Sequence, residues 1–242
     1  RQPLVRRLRP ISSRAAARNP IAMARLTQSF RLLPRPWDPS APGAGEMGEP
    51  GLFTCACCGL ITPGRRFPWR GDGPGPVCAL CNILQDPTRP AIEREAVLIW
   101  WPKLPQTRIM TLTRCAHQAL MQTLGNGPNG QDSVWHRALA AIASGSDTAM
   151  MPAQCKSALA VLRALHARTA EARRRLETTS PRLLATALLM ANRADPQINE
   201  SATALMDGIR LLPLGRLHNG PTDIYPALVR EWLDADPQPV MT

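Results

Sequence analysis

The chain has 242 residues, 44% of them hydrophobic and 19% charged, with a formal charge of +11; that length accommodates one or two domains with real cores and excludes a disordered tail. The longest apolar runs, Ala96 to Trp101 and Leu183 to Ala191, fall well short of the roughly 18 residues a spanning helix needs, which excludes direct membrane insertion. With 4% aromatic residues and Tyr225 the sole tyrosine, base-stacking platforms built from Phe and Tyr are not expected.

Nine arginines and no acid fall in residues 1–36, so that segment holds +9 and the remaining 206 residues about +2. A domain that grips duplex nucleic acid concentrates cations on folded elements. Here the excess sits on a tail, and nucleic acid is expected to be held at most weakly, through that extension. The first methionine is Met23, and residues 1–22 are expected to lie upstream of the natural start. A transit-peptide reading is opposed by Pro3, Pro10 and Pro20, which interrupt an amphipathic helix. Residues 34–50, PRPWDPSAPGAGEMGEP, have no periodicity and read as linker. Residues 1–50 are therefore expected to be a disordered basic and Pro/Gly-rich extension, with folding starting near Leu52.

Seven cysteines follow in classes: Cys55, Cys57 and Cys58 cluster, Cys78 and Cys81 pair, and Cys115 and Cys155 stand alone. Cys55, Cys58, Cys78 and Cys81 give C-x2-C-x19-C-x2-C, in which each pair can bend around one cation while the loop returns the second pair to close a tetrahedron. Gly59 suits such a knuckle because glycine adopts the positive φ that turns backbone amides toward sulfur. Four soft thiolates favour one structural Zn²⁺. The competing readings are unrelated reduced thiols or two disulfides. Cys57 can stand in for Cys55 or Cys58, although C-x2-C is the commoner knuckle spacing; Cys115 and Cys155 read as small hydrophobes on helical faces.

Pro90–Glu95 reads as a helical turn and Ala96–Trp101, AVLIWW, as a buried strand covering the zinc module, bounded by charge before it and Pro102 after it. Residues 106–124 read as a helix with Ile109, Leu112, Ala116, Ala119 and Leu120 inward, stopping at Gly125. A shorter helix, 133–143, places Trp135, Leu139 and Ile142 on one stripe. A long helix is predicted over 152–178, with Cys155, Leu159, Leu162, Leu165, Thr169 and Leu176 inward and Arg168, Arg173, Arg174 and Arg175 toward its C-terminal part, where cations suit the helix dipole. Ser180-Pro181 restarts a helix running to about Asn192. Another spans roughly 197–208 before GIRLLPLGRL, and Asp223 caps a last helix, 224–233, that buries Leu228 and Trp232.

A site of four thiolates is closed to water and substrate, so it is expected to fold the chain rather than perform chemistry. An HNH-type nuclease would need a histidine and further His or Asn residues for a catalytic ion; GLITPGRRFPWRGDGPGPV, between the knuckles, has neither. His117, His136, His166 and His218 are scattered without a ligand spacing. No G-x-S-x-G, G-x4-G-K-[ST] or G-x-G-x2-G occurs, and no catalytic residue is assigned.

Paired knuckles, then RPAIEREAVLIWWPKLPQTRI, then MDGIRLLPLGRLHNGPTDIYPALVREWL near the C-terminus: in this order the chain resembles the IcmJ/DotN family of Dot/Icm type IVB secretion systems and their relatives on conjugative plasmids. The resemblance covers roughly Leu52 to Leu233 and is carried by Cys55, Cys58, Cys78 and Cys81, by Glu93 to Pro105, by Asp207 to Gly215 and by Asp223 to Trp232. It implies a cytoplasmic zinc protein, peripheral to an inner-membrane secretion complex, with a catalytically degenerate HNH-like fold. Its implied partners are the coupling ATPase, whose C-terminal segment the family binds, and other coupling-complex subunits. The short Gly/Pro-rich loop between the knuckles and the basic N-terminus depart from the family pattern.

The expected architecture is thus α+β and mostly helical, with a zinc-knuckle module and covering strand over 51–105, a helical region over 106–236 and a disordered tail over 237–242. Trp100, Trp101, Trp135 and Trp232 are candidate partner anchors, since tryptophan is enriched at binding hot spots; ordinary core packing is the competing reading for each.

Overall fold

The computed structural model describes residues 30, 32, 51–70, 75–124, 140, 152–194 and 206–235. Among these residues helices predominate over three two-stranded antiparallel sheets, the expected α+β class. The first sheet pairs β1 (Phe53–Thr54) with β2 (Ile61–Thr62), Phe53 opposite Thr62. Two short helices, α1 (Ala79–Asn82) and α2 (Ile92–Glu95), lead into β3 (Ala96–Trp100). Then come α3 (Gln106–Leu124), α4 (Ala153–His166), α5 (Thr169–Leu176) and α6 (Pro181–Ala194). The chain closes with β4 (Ile209–Pro213), β5 (His218–Asn219), β6 (Thr222–Asp223) and α7 (Tyr225–Ala235).

The long helix predicted over 152–178 is two helices. Arg168 N–H donates to Leu165 O at 3.1 Å, a tightened i to i−3 turn that ends α4. The turn redirects α5 across the outer edge of β3, where Trp100 N–H reaches Arg168 O at 3.2 Å and Leu98 N–H reaches Thr179 O at 2.8 Å. Backbone groups of an exposed edge need such partners. Thr169 and Leu176 are consequently only half-buried, while Cys155, Leu159, Leu162 and Leu165 face inward as the spacing predicts. Ser180 caps α6 as expected, its Oγ accepting from Leu183 N–H at 3.0 Å.

Residues 209–213, which carry no strand signal in their sequence, form β4 against β3, Ala96 opposite Pro213 and Trp100 opposite Ile209. Proline ends this strand, where it withdraws no donor from the ladder's interior. The free side of β4 is closed by one side chain. Gln106 Nε2 donates to Leu211 O and Gln106 Oε1 accepts from Leu211 N–H, both at 2.8 Å, so a buried amide substitutes for a third strand.

The main core gathers described residues from Phe30 to Trp232. It joins Phe53, Leu60, Val77, Leu80 and Ile83 of the knuckle region with Leu98, Met110, Leu211, Tyr225, Val229 and Trp232. Phe30 and Leu32, within the stretch expected to lie outside the fold, are 1% and 5% exposed in this same core, and Phe30 meets the Trp69 ring edge-on at 4.8 Å. A smaller core binds α3 to α4 through Ala116, Leu120, Cys155, Leu159 and Leu162. Leu112, expected inward, is 38% exposed, and Thr113 beside it is buried instead. Val229, rather than Leu228, is the fully buried aliphatic residue of α7. The predicted helix 133–143, apart from Ala140, and most of the one at 197–208 lie outside the described residues.

Candidate metal centre

Local backbone bonding builds the first half of the centre. Cys55 N–H donates to Leu60 O at 2.7 Å and Gly59 N–H to Cys55 O at 2.9 Å, folding CACCGL into a turn between β1 and β2. Gly59 has φ of 71°, the left-handed conformation glycine adopts without steric cost. The second half is a helix start: Cys78 is the residue before α1, extended at φ −76° and ψ 167°, and Cys81 lies within its single turn. A bridge between Phe67 and Val77 returns the loop so that the two halves face each other.

The outcome is a buried group of four sulfurs, Cys55, Cys58, Cys78 and Cys81, all within 4.8 Å of one another. Cys58 Sγ and Cys78 Sγ are 3.8 Å apart. Sulfurs bound tetrahedrally at about 2.3 Å from one ion stand about 3.8 Å apart, so this spacing fits ligation and is far too long for a disulfide bond. All seven cysteines are free thiols. Cys78 and Cys58 N–H groups point at Cys55 Sγ at 3.3 and 3.5 Å. Hydrogen bonds from Cys58, Cys78 and Cys81 hold the Cys55 thiol far below the usual thiol range, whereas burial and its sulfur neighbours push Cys81 well above it. One proton network shared by four buried sulfurs is a set that a cation can satisfy at once. The four cysteines can therefore hold a metal ion, and Cys57, although buried, is not one of the group.

The elements laid over the first knuckle are α3 and α7, where the sequence suggests the strand at 96–101. Thr111 Oγ1 and Arg114 Nη2 of α3 donate to Cys58 O at 3.2 and 3.5 Å, and α7 packs against β2. His117 Nδ1 and Tyr225 Oη are 2.8 Å apart, both side chains fully buried; burial and the nearby Cys78 sulfur push the Tyr225 hydroxyl well above its usual range. None of these four residues carries a sequence signal, because helical spacing on α3 marks apolar positions and not which knuckle lies beneath.

The tryptophans separate. Trp232 is 1% exposed and meets Tyr225 edge-on at 5.7 Å; it is core and offers no surface to a partner. Trp135 lies outside the described residues. Trp100 and Trp101 are half-buried at the end of β3, beneath the guanidinium groups of Arg175 at 4.3 Å and Arg168 at 4.8 Å. A Cβ at Gly208 would fall 2.3 Å from the Trp100 ring, so the glycine's missing side chain makes room for that indole.

A second polar cluster ties the chain's halves together. Glu95, fully buried, accepts from His218 N–H at 2.6 Å and pairs with Arg89 at 3.1 Å, while Arg89 also donates to His218 O at 2.8 Å. His218 Nδ1 faces the same carboxylate at 3.6 Å.

Among the described residues no helix is long and apolar enough to cross a membrane. Neither protein-family models nor curated proteins match the chain, so the resemblance to secretion-system subunits stands on its motifs alone.

Proposed function

We propose that the chain is a zinc-stabilised, non-enzymatic adaptor of a type IVB secretion or conjugation coupling complex, cytoplasmic and peripheral to the inner membrane. The observation that carries the zinc reading is the closed group of four buried cysteine sulfurs at the meeting point of the knuckle, α3 and α7. Four thiolates suit Zn²⁺ over harder cations and fill its coordination number, leaving no position for water or substrate. Cys55, Cys58, Cys78 and Cys81 would hold the ion, which when bound supplies cross-linking rather than chemistry. The motif resemblance supplies the partner: the C-terminal segment of the coupling ATPase, with Trp100 and Trp101 as the anchors that retain exposure. An HNH-like origin is compatible with the β5–β6–α7 order, but His218 on β5 is only 7% exposed, its backbone N–H donates to Glu95 and its ring faces the same carboxylate at 3.6 Å.

Two measurements test this. Native mass spectrometry should find one zinc per chain, and the protein should co-purify with the ATPase C-terminal segment. Loss of that association with zinc still bound would reject the adaptor while sparing the metal site. A second reading, a zinc-stapled nucleic-acid-binding protein, is favoured by charge: the described residues hold nineteen Arg and Lys against nine Asp and Glu. Arg163, Arg168, Arg173, Arg174 and Arg175 are exposed along α4, the turn after it and α5. Salt-sensitive duplex binding that survives replacement of the nine arginines in residues 1–36 by glutamine would favour this second reading.

A further inference from the structure

Four thiolates around one divalent ion carry two negative charges in excess, and a centre shut away from water must find compensation within the protein. The two backbone N–H groups described above both go to the Cys55 sulfur. A full positive charge stands at the Cys58 carbonyl of the same knuckle. Arg114, half-buried on α3, donates from Nη2 to Cys58 O and from Nη1 to Gln118 Oε1 at 2.5 Å. Gln118 is 1% exposed, which fixes the direction of the fork. On the third nitrogen, Arg114 Nε–H is buried without an acceptor. A buried guanidinium with an unsatisfied N–H is costly unless it faces negative charge.

We propose that Arg114 is the built-in counter-ion of the metal–thiolate centre, a positioning residue that Gln118 and the Cys58 carbonyl hold against the knuckle. This inference rests on the zinc reading. Nearby positive charge draws electron density from bound thiolates and makes them poorer nucleophiles, so the centre holds its ion and resists electrophiles. The bland alternative is that Arg114 packs its aliphatic stem between α3 and the hairpin. Charge and bulk separate experimentally, because methionine keeps the stem and lysine keeps the charge.

The test uses the full chain loaded with zinc and treated with iodoacetamide. Each thiolate attacks the methylene carbon, a sulfur–carbon bond forms and iodide leaves; the zinc set free is read by a colorimetric chelator. Arg114→Met should release zinc at least about tenfold faster than wild type, in line with the usual effect of removing a residue that supports metal ligands. Arg114→Lys should stay close to wild type. Folded, zinc-loaded Arg114→Met that releases zinc at the wild-type rate would overturn the inference, as would Arg114→Lys releasing as fast as Arg114→Met. If Arg114→Met does not fold, Arg114→Gln takes its place under the same criteria. Wild-type protein that binds no zinc would instead remove the metal reading, and this inference with it.

Discussion

Cys57 lies between two members of the sulfur group yet contributes no sulfur to it. Replacing Cys57 with serine should leave zinc content near wild type, whereas the double change Cys78→Ser, Cys81→Ser should abolish it; metal analysis after gel filtration distinguishes the two. Glu95 makes a different argument, about pH. Burial pushes its carboxyl above the usual range, against the opposing pull of Arg89 and the His218 N–H. A raised carboxyl pKa means that the folded chain binds a proton the unfolded chain has released. Its contribution to stability is therefore complete below the unfolded value, near 4.5, and is lost as pH rises through the folded value. Glu95→Gln removes that dependence while keeping an acceptor for His218 N–H. Denaturant unfolding should show wild type losing stability relative to Glu95→Gln as pH rises above the unfolded value, near 4.5. A relative gain over that rise would mean that ion pairing with Arg89 outweighs burial. Glu95→Ala, which strands Arg89 and the His218 amide, should cost about 2–4 kcal/mol at neutral pH.

At the scale of elements, the β3–β4 ribbon holds because both of its edges are closed, one by the carbonyls of Arg168 and Thr179 and the other by Gln106. Gln106→Ala leaves a buried N–H and a buried C=O of Leu211 without partners, so a loss of about 2–4 kcal/mol is expected. Gln106→Glu, which keeps the acceptor but not the donor, should lose stability too, and calorimetry of the pair would show whether both bonds contribute. The same ribbon shows what was legible. β3 was readable because AVLIWW is an unbroken apolar run between charge and proline. β4 was not, because IRLLP is short, carries an arginine and ends in proline, and only its pairing with β3 defines it. The break at Ala167–Arg168 was hidden by a continuous apolar stripe; what ends α4 is the contact of Arg168 O with Trp100 N–H, a partner about 70 residues away. The four cysteines were readable from local spacing alone. The layer above them, Thr111, Arg114, His117 and Tyr225, depends on how α3 and α7 dock.

For the molecule as a whole, the distribution of the core decides how metal loss should propagate. A boundary near residue 105 would make the knuckle region a separable module that frays alone when its ion is removed. The main core crosses that position: Leu60, Leu80 and Ile83 pack in one cluster with Met110, Tyr225, Val229 and Trp232, and Phe30 enters it from far upstream. The clusters that hold no knuckle residue are Ala116, Leu120, Cys155, Ala158, Leu159 and Leu162 between α3 and α4, and Ile99, Ile109, Leu165 and Leu212 between β3, β4 and those helices. Two clusters of six and four buried residues make a marginal core on their own. Structural zinc contributes apparent binding energies of order 10 kcal/mol or more, comparable to the whole stability of a domain. The Cys78→Ser, Cys81→Ser chain should therefore lose helical circular dichroism and the burial of Trp69 and Trp232 together. Wild type titrated with a zinc chelator should pass through one transition with both probes coincident. A metal-free chain that keeps most of its helical signal while Trp69 alone becomes exposed would restore the separate module. A chain begun at Gly51 would lack Phe30 and Leu32 and with them part of this core. Phe30→Ala in the full chain measures that contact directly, with an expected cost of about 3–5 kcal/mol.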